Sequence, residues 1–376
     1  MNVMIIGAGP SGSYLGYLLS KSGIKNTIIE EHNQIGKPDH CTGLVSRNIE
    51  KILPYKWFNR AILNKVNGAV ISCGNKSFEI KADEFKAYVF DRPVFDKAIA
   101  ENAVKEGSKI LLSHKYLKHE IKNQHNKKII DITINSPKYE NKVIKADVLI
   151  GADGAASKVA FDSGLFNERK FLIGKQMIAK VKENEFDKEK VYLFLDKKYS
   201  DGFFAWVVPV NEDTIKVGLA SMTKPMEYFD RFIDEKLGHF KILGEYGGMI
   251  PLYKKIDVQN KDKNIFLVGD AALLVKATSG GGIINSLLSA RVLCRSLKDN
   301  VDYENGLKKI RKHLWLHSFI RRKLNKMSDK KTERLLEMLN KEGPKKVLLE
   351  KGDMDFPGKF LVGLLLSNPR ILSFII

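Results

Sequence analysis

The chain has 376 residues, of which 44% are hydrophobic, and a formal net charge of +19. This length suits two domains with an additional helical segment, and the composition is that of a globular protein with a sizeable core. The three cysteines are far apart and form no CxxC pair, which argues against a disulfide scaffold and favours a reducing, intracellular setting. Because no apolar run reaches the roughly 20 residues of a membrane-spanning helix, we expect no transmembrane segment. The positive charge favours a polyanionic partner, which leaves nucleic acid, an anionic membrane or a phosphorylated substrate open.

The first 30 residues have the pattern of a strand, a glycine-rich turn, a helix and a second strand. Residues 2–6 are apolar, residues 13–22 have helical character, and residues 27–30 are again strand-like. The turn reads Gly-Ala-Gly-Pro-Ser-Gly, which predicts a dinucleotide phosphate site at a helix N-terminus. The predicted cofactor residues are Gly7, Gly9, Ser11 and Gly12 of the turn and Glu30, whose carboxylate can accept hydrogen bonds from ribose hydroxyls. A glycine-rich turn without a ligand is the alternative, and the surrounding pattern disfavours it.

Two later segments identify the dinucleotide as FAD. One apolar strand ends in Gly-Ala-Asp-Gly, and another ends in Gly-Asp and leads into three consecutive glycines. A carboxylate at a strand end suits the hydroxyls of a ribityl chain, and three glycines let the backbone pack flat against an isoalloxazine edge. A helix that begins after the glycines points its positive end at the flavin and favours the anionic reduced form. The predicted cofactor residues of these segments are Asp153, Gly269, Asp270, Gly280, Gly281, Gly282 and Ile283.

The predicted fold is α/β. It has a Rossmann-type FAD-binding domain in three parts, an inserted antiparallel-sheet domain for the substrate, and a helical C-terminal tail. The inserted sheet is predicted from strand-like runs that alternate with polar turns, interrupted by one helix near Met226–Leu237. The FAD-binding domain is assigned to residues 1–58, 88–168 and 262–300, the substrate domain to 59–87 and 169–261, and the basic C-terminal region to 301–376.

The three motifs, in this order and spacing, resemble the para-hydroxybenzoate-hydroxylase-like FAD superfamily over nearly residues 1–300. In that superfamily an arginine just before the first long helix also helps to hold FAD, and Arg92 matches it. The resemblance therefore implies that Arg92 is a cofactor residue. A surface salt bridge is the alternative for this arginine.

Within the superfamily, two stretches are similar to the geranylgeranyl reductases, flavoenzymes that saturate prenyl chains. The first is residues 35–46, called here the Cys41 loop, and the second is the 269–283 segment. In that segment Ala277 replaces a usual proline and Leu273 a usual glycine. The resemblance implies a catalytic role for Cys41, as a thiol that relays a proton beside the flavin. The plainer reading is a small, partly buried loop residue.

A third match is partial. Where the family has Tyr-x-Trp-x-Phe-Pro along its substrate cavity, this chain has Phe-Ala-Trp-Val-Val-Pro at 204–209. The resemblance implies that Phe204, Trp206 and Pro209 line a substrate cavity. The missing tyrosine hydroxyl and aromatic ring leave the length or identity of the substrate open, and plain core packing is the alternative for these aromatic residues.

The resemblance implies an FAD-dependent reductase that saturates C=C bonds of geranylgeranyl chains, with a prenylated lipid of the archaeal ether type as substrate. Two alternatives stay open: an FAD-dependent monooxygenase or halogenase on the same fold, and a non-enzymatic prenyl-binding carrier. The electron donor is also open among NAD(P)H, ferredoxin and another carrier, because the sequence has no second dinucleotide motif.

The C-terminal region is basic and helical, with ten Lys and Arg against one acid in residues 308–331. A basic amphipathic helix indicates an anionic membrane surface, so we expect a cytoplasmic protein that is peripheral on the inner face of the cell membrane. A packed helix with a solvated basic face is the alternative. No nucleic-acid motif is present, so nucleic acid is not expected as a partner. His313 and His317 have a zinc-like spacing without further ligands, so no metal site is predicted and both are assigned to a solvated face.

Overall fold

The computed structural model describes residues 1–124, 127–183, 185–260, 262 and 264–375. The strands are β1 (Asn2–Ile6), β2 (Lys25–Ile29), β3 (Leu44–Ser46), β4 (Ile62–Val66), β5 (Gly68–Cys73), β6 (Lys76–Lys81), β7 (Ala87–Phe90), β8 (Lys109–Leu111), β9 (Lys115–Gln124), β10 (Lys127–Ser136), β11 (Tyr139–Ala146), β12 (Val148–Gly151), β13 (Phe171–Lys180), β14 (Lys190–Phe194), β15 (Phe204–Pro209), β16 (Thr214–Ser221), β17 (Lys241–Pro251), β18 (Gln259–Asn260) and β19 (Ile265–Leu267). The helices are α1 (Pro10–Lys21), α2 (Tyr55–Phe58), α3 (Arg92–Glu106), α4 (Lys158–Asp162), α5 (Pro225–Lys236), α6 (Ile283–Asp299), α7 (Tyr303–Gly306), α8 (Lys308–Lys326), α9 (Asp329–Leu339), α10 (Glu342–Lys351), α11 (Gly358–Ser367) and α12 (Leu372–Ile375).

A six-stranded sheet in the order β18-β19-β12-β1-β2-β8 forms the base of the nucleotide-binding part. Strand β1 pairs in parallel with β12 on one side and β2 on the other, with Ile6 opposite Gly151 and Ile29. The crossover from β1 to β2 is α1, the connection that parallel strands require. Because parallel strands end at the same edge, the turns after β1, β12 and β19 meet there. This confirms the predicted Rossmann-type domain.

A seven-stranded sheet in the order β17-β13-β16-β15-β14-β5-β6 forms the second part, and it is antiparallel except for the β5–β14 pair. This confirms the predicted inserted sheet. Two short strands depart from the assigned segments. Strand β4, from segment 59–87, pairs with β7 in a separate three-stranded sheet, and β18, from segment 169–261, pairs with β19.

Strand β15 has two different faces, as its alternating sequence requires. Ala205 and Val207 pack into a core with α5, which contributes Phe229 and Phe232. Phe204, Trp206 and Val208 face the opposite side, with a second set of buried residues. The strand therefore has one face in the core and offers the other to a cavity.

The C-terminal region is a set of helices that pack on both parts. Helix α8 packs against α6, α7 and α12, while α9 packs on β5 and β6. The assignment of His317 to a solvated face is wrong, since its side chain is only 3% exposed. Arg311 is also buried and pairs with Glu304. The exposed basic face of α8 is therefore narrower than its sequence suggests.

Replacing Gly12 with valine is expected to lower the thermal midpoint of unfolding. A Cβ at Gly12 would overlap the carbonyl oxygen of Gly7, a backbone atom that cannot turn away. Overpacking of this kind costs about 1–3 kcal/mol or more. Gly238→Ala is the control, because no heavy atom lies within 4 Å of a Cβ built there. An unchanged midpoint for Gly12→Val would contradict the described packing of α1 on β1.

Candidate functional site

The turn after β1, residues 7–12, is shaped for an anion. Gly7 has φ +103°, and a Cβ there would overlap the carbonyl oxygen of Ala152 in the turn after β12. Gly9 caps α1 without a side-chain hydrogen bond, and a Cβ built on Gly9 would meet no atom within 4 Å. There is therefore open space beside Gly9 at the N-terminus of α1, where the helix dipole favours a phosphate.

Glu30 stabilises this turn directly. Its Oε2 accepts a hydrogen bond of 2.8 Å from the backbone N–H of Ala8, and its Oε1 lies 2.7 Å from Nδ1 of His32. The carboxylate is therefore fixed beside the turn at the end of β2. It retains acceptor capacity for a ribose hydroxyl, and that contact stays a prediction.

Asp153 has a structural task in the turn after β12. Its Oδ1 accepts a hydrogen bond of 2.6 Å from the Ser157 hydroxyl, and its Oδ2 accepts one of 3.0 Å from the Val159 N–H. Burial raises the pKa of this carboxyl group, against those hydrogen bonds. Asp153 thus holds the start of α4, and its predicted contact with the cofactor remains a prediction.

The turn after β19 brings Gly269 against the phosphate turn. Gly269 has φ +62°, and a Cβ there would lie 2.8 Å from the hydroxyl oxygen of Ser11 and 2.9 Å from that of Ser286. Arg169, which the sequence analysis did not single out, joins this turn to the one after β12. Its guanidinium donates to the carbonyl oxygens of Ala155 at 3.0 Å and Ala271 at 2.8 Å.

Asp270 differs from Asp153 and Glu30 in its surroundings. Within the described part of the chain, its carboxylate accepts no hydrogen bond from a protein group. Burial raises its pKa, and the charge of Arg92 opposes that rise. Asp270 is partly buried, and a desolvated carboxylate without a donor is costly, so ligand hydroxyls would satisfy it. This is an observation that fits the predicted ribityl contact.

Residues 276–282, called here the glycine loop, follow this turn. Gly280 has φ +67° and packs against Ile250 and Phe203. A Cβ at Gly282 would lie 2.7 Å from Oδ1 of Asp270, so only glycine permits the approach. Helix α6 then begins at Ile283, with Gly282 as its cap and no side-chain hydrogen bond there. Its free N-terminus therefore points at the same site as Asp270.

The Cys41 loop is held against the large sheet by buried polar groups. The Lys216 ammonium, on β16, donates to the carbonyl oxygens of Thr42 at 3.0 Å and Phe90 at 3.1 Å. Gln176 Oε1 accepts from the Thr42 hydroxyl at 2.5 Å and from Trp206 Nε1 at 3.3 Å. Burial lowers the pKa of Lys216. Sequence periodicity indicates that Lys216 is a charged residue within a buried strand. It cannot identify the carbonyl group that Lys216 binds, because Thr42 is 174 residues away in the chain.

Arg92 lies between the Cys41 loop and Asp270. It makes a two-point ion pair with Asp96, with nitrogen–oxygen distances of 3.1 and 2.9 Å, and both side chains are largely buried. Its guanidinium also interacts with the Cys41 thiol and with the Asp270 carboxylate. The alternative considered for Arg92 from the sequence, a surface salt bridge, is thus partly right: Arg92 does pair with Asp96, but this pair is largely buried. Its predicted contact with FAD stays open.

A cavity of about 920 Å³ opens next to these elements. Its lining combines the Cys41 loop, the glycine loop, the outer face of β15 and the C-terminal helices. Phe204 and Trp206 belong to the lining, and their contact with a substrate stays a prediction; Pro209 does not line this cavity, because it falls on the other face of β15 and ends the strand. Representative lining residues are Cys41, Gly43, Ile71, Phe78, Gln176, Leu193, Phe204, Trp206, Val208, Thr278, Gly280, Gly281, Leu316, Ile320, Leu324, Leu336, Leu361, Leu364 and Phe374.

Comparison with known proteins agrees with this geometry. The family model for an FAD binding domain matches residues 1–237. The chain belongs to this family. FAD is therefore its cofactor, and the open phosphate turn, the unpartnered Asp270 and the glycine loop fit that group. Within this FAD-binding family the chain is a flavin oxidoreductase, so the non-enzymatic carrier considered from the sequence is excluded.

Individual relatives extend the likeness over the whole chain. The chain is 30% identical to the uncharacterised protein MJ1520 of Methanocaldococcus jannaschii over 390 residues, covering 99% of this chain and 97% of that protein. It is 28% identical to the digeranylgeranylglycerophospholipid reductase of the same organism over 402 residues, with the same coverage. A crystal structure of a geranylgeranyl bacteriochlorophyll reductase-like protein from Thermoplasma acidophilum covers 100% of the chain and 99% of its own, with a TM-score of 0.83 and 22% identity. The predicted resemblance to the geranylgeranyl reductases is confirmed.

Asp270→Ala is expected to have opposite effects on FAD binding and on stability. A hydrogen bond between a carboxylate and a ligand hydroxyl is worth roughly 1.5–3 kcal/mol, so FAD affinity should fall about tenfold or more. The FAD-free variant should unfold at a higher temperature than FAD-free wild type, because it no longer desolvates a partly buried carboxylate that lacks a donor. Titration with FAD and thermal unfolding measure the two effects.

The control for Asp270→Ala is Asp234→Ala, which removes an exposed carboxylate on α5. It should change neither quantity. Equal FAD affinity for the Asp270 variant and wild type would mean that this carboxylate does not contact the cofactor.

Proposed function

We propose that this flavoprotein saturates C=C bonds in the geranylgeranyl chains of membrane ether lipids. The observation that supports it most is the cavity, which joins Cys41 and the glycine loop to a lining of apolar side chains from α8, α9, α11 and α12. Its volume of about 920 Å³ lies at the upper end of ligand pockets, roughly 300–1,000 Å³. A long hydrocarbon is the ligand class that such a lining recognises. Two archaeal relatives are named as digeranylgeranylglycerophospholipid reductases, which agrees with this substrate.

Reduced FAD, when bound, supplies the hydride for such a reduction. The chain must supply the rest: a dry, apolar surface around the alkene and one proton for the second carbon. Trp206 offers an aromatic ring that stabilises cationic character in the alkene as it is protonated, and Phe204 adds apolar surface beside it. Gln176 fixes the Trp206 ring through its indole N–H.

Cys41 is the proposed source of the proton. Cys41 lines the same cavity as the glycine loop, and the backbone N–H of Gly43 donates to its sulfur at 3.4 Å. After the proton leaves, the resulting thiolate interacts with the Arg92 guanidinium until it regains a proton from water. Cys73 and Cys294 are buried in other places, and neither belongs to the lining.

The test is mass spectrometry of geranylgeranyl ether lipids after anaerobic incubation with chemically reduced enzyme, which requires no particular electron donor. Wild type should add two mass units for each saturated bond. Cys41→Ser should retain FAD and slow the reaction at least tenfold, since general acid catalysis contributes roughly 10²–10⁴-fold. Cys73→Ser and Cys294→Ser are the matched controls and should react at the wild-type rate.

Unchanged lipid masses with wild-type enzyme would refute the proposed reduction. Oxygen consumption with incorporation of oxygen or halide into the product would support the monooxygenase or halogenase alternative instead. Equal rates for Cys41→Ser and wild type would leave the reduction intact but assign Cys41 to a structural role.

We also propose that the protein binds an anionic membrane surface on the cytoplasmic side without crossing it. Across the described residues, no helix combines the length and apolar character of a membrane span. Trp315 is 56% exposed, Val362 64% and Leu366 79%, and these side chains come from helices that also line the cavity. Exposed basic residues of α8 accompany them, namely Lys308, Lys309, Lys312, Arg322 and Lys326. Apolar side chains beside basic ones are typical of interfacial binding.

Liposome co-sedimentation measures this binding. Wild type should bind vesicles that contain anionic lipid, and binding should weaken with added salt, because basic residues contribute about 1 kcal/mol each near an anionic leaflet. The triple variant Lys312→Glu, Arg322→Glu, Lys326→Glu should lose most of the binding. Its control has the same change of charge on β11 and the preceding turn: Lys138→Glu, Lys142→Glu, Lys145→Glu. Equal losses in both variants would mean that net charge alone, and not this surface, governs binding.

A further inference from the structure

Three side chains of the C-terminal region contact three consecutive residues of the glycine loop. The Lys276 ammonium pairs with Asp355 at 2.6 Å. The Arg321 guanidinium donates to the carbonyl oxygens of Ala277 at 3.1 Å and Thr278 at 2.7 Å. The third contact joins Nδ1 of His317 to the Thr278 hydroxyl at 2.6 Å. None of these pairs is close in sequence, so each depends on how α8 and the 353–355 segment pack.

These contacts are buried. The side chains of Lys276 and Asp355 are 6% and 1% exposed, and Asp355 also accepts hydrogen bonds from Ser46 and from Asn48 at 2.9 Å. His317 donates or accepts at both ring nitrogens, with the Asp355 carbonyl oxygen 3.1 Å from Nε2. Burial lowers the pKa of His317 to about 4, which keeps the ring neutral near pH 7.

Arg321 is the most unusual member. Its guanidinium lies over the rings of Phe203 at 4.6 Å and Phe204 at 5.3 Å, and in the described part of the chain no carboxylate pairs with it. Burial lowers its pKa to about 10. Two carbonyl oxygens and two ring faces recover only part of the cost of burying a cation. Because burying this cation costs folding free energy, Arg321 is better explained by a role in the site than by a role in stabilising the fold.

The contacted residues control the position of the glycines. The Gly280 N–H donates to the Lys276 carbonyl at 2.8 Å, and the Lys276 N–H donates to the Gly281 carbonyl at 3.2 Å. A Cβ at Gly281 would lie 2.9 Å from Cε of Lys276, so the lysine stem packs directly on this glycine. A shift of residues 276–278 therefore moves Gly280–Gly282 and the N-terminus of α6 with them.

We propose that Arg321, His317 and Asp355 are positioning residues, which hold the glycine loop and the N-terminus of α6 against the flavin and thereby raise its reduction potential. The physical reason is the helix dipole, since a helix N-terminus stabilises the negative charge of the anionic reduced flavin. This effect falls off within the first turn, so a small displacement weakens it. The C-terminal region then has two tasks, because Leu316, Ile320 and Met354, which neighbour these residues, line the cavity.

Two variants separate positioning from simple charge. Arg321→Lys keeps the positive charge but replaces two donor nitrogens in a fixed planar fork, Nε and Nη2, with a single nitrogen on a flexible stem, so it holds the two carbonyl oxygens less rigidly. Asp355→Asn keeps the shape but removes a negative charge beside Lys276. By Coulomb's law alone, Arg321→Lys should leave the flavin potential unchanged and Asp355→Asn should raise it. If the substitutions instead release the glycine loop, both variants should lower the flavin potential.

The experiment is the midpoint potential of bound FAD, measured anaerobically against a reference dye, with flavin occupancy taken from the visible spectrum. It requires no lipid and is therefore independent of the proposed substrate. Arg334→Lys is the matched control, an exposed arginine on α9. We expect full flavin occupancy in all variants, a wild-type potential for Arg334→Lys, and lower potentials for Arg321→Lys and Asp355→Asn.

Three outcomes would overturn the proposal: a wild-type potential for Arg321→Lys, a raised potential for Asp355→Asn, or loss of FAD from either variant at an unchanged unfolding temperature. The last would mean that these residues serve binding and do not tune the bound flavin. A lower potential in both variants at full occupancy is the result that displacement of the loop predicts and that Coulomb's law alone does not, because the two substitutions alter charge differently.

Discussion

The parallel pairing of β1 with β12, and of β12 with β19, is the constraint on which the site depends. Parallel strands end at one edge of a sheet, so three turns that are far apart in sequence meet there: the turn after Ile6, the one after Gly151 and the one after Leu267. At that edge a Cβ at Gly7 would overlap the backbone of Ala152, and a Cβ at Gly269 would press on the side chain of Ser11. Any side chain at these positions would force the turns apart.

The site also contains charged side chains inside a largely apolar region, and each of them needs polar partners there. Lys216, Arg92, Lys276 and Arg321 are positively charged side chains with little exposure around the same site, and each has a defined set of partners. Lys216 and Arg321 bind only backbone carbonyl oxygens among the described hydrogen bonds, so they fix loops and do not neutralise acids. Together these cations surround a site whose cofactor becomes negatively charged on reduction.

The sequence predicts the residues whose chemistry is local. The glycines at 7, 9 and 12 and the strand–turn–helix around them follow from short-range spacing, and so does the alternation that separates Phe204 and Trp206 from Ala205. Contacts between distant segments do not follow from spacing. Helical periodicity placed His317 and His313 on one face, but it could not tell that the body of the protein covers His317. The roles of Lys216 and Arg321 depend on which carbonyl oxygens come within reach, and only the folded chain decides that.

The cavity is lined by segments that are synthesised at very different times. Strands β5, β6 and β15 contribute walls such as Ile71, Phe78 and Trp206, whereas the opposite wall comes from residues 316–374. Domains fold in order from the N-terminus during synthesis, at about 5–20 residues per second. The apolar face of the sheet that borders the cavity is therefore exposed to water for seconds before its cover arrives. During that interval the nascent chain presents an uncovered apolar surface, which makes it prone to aggregation.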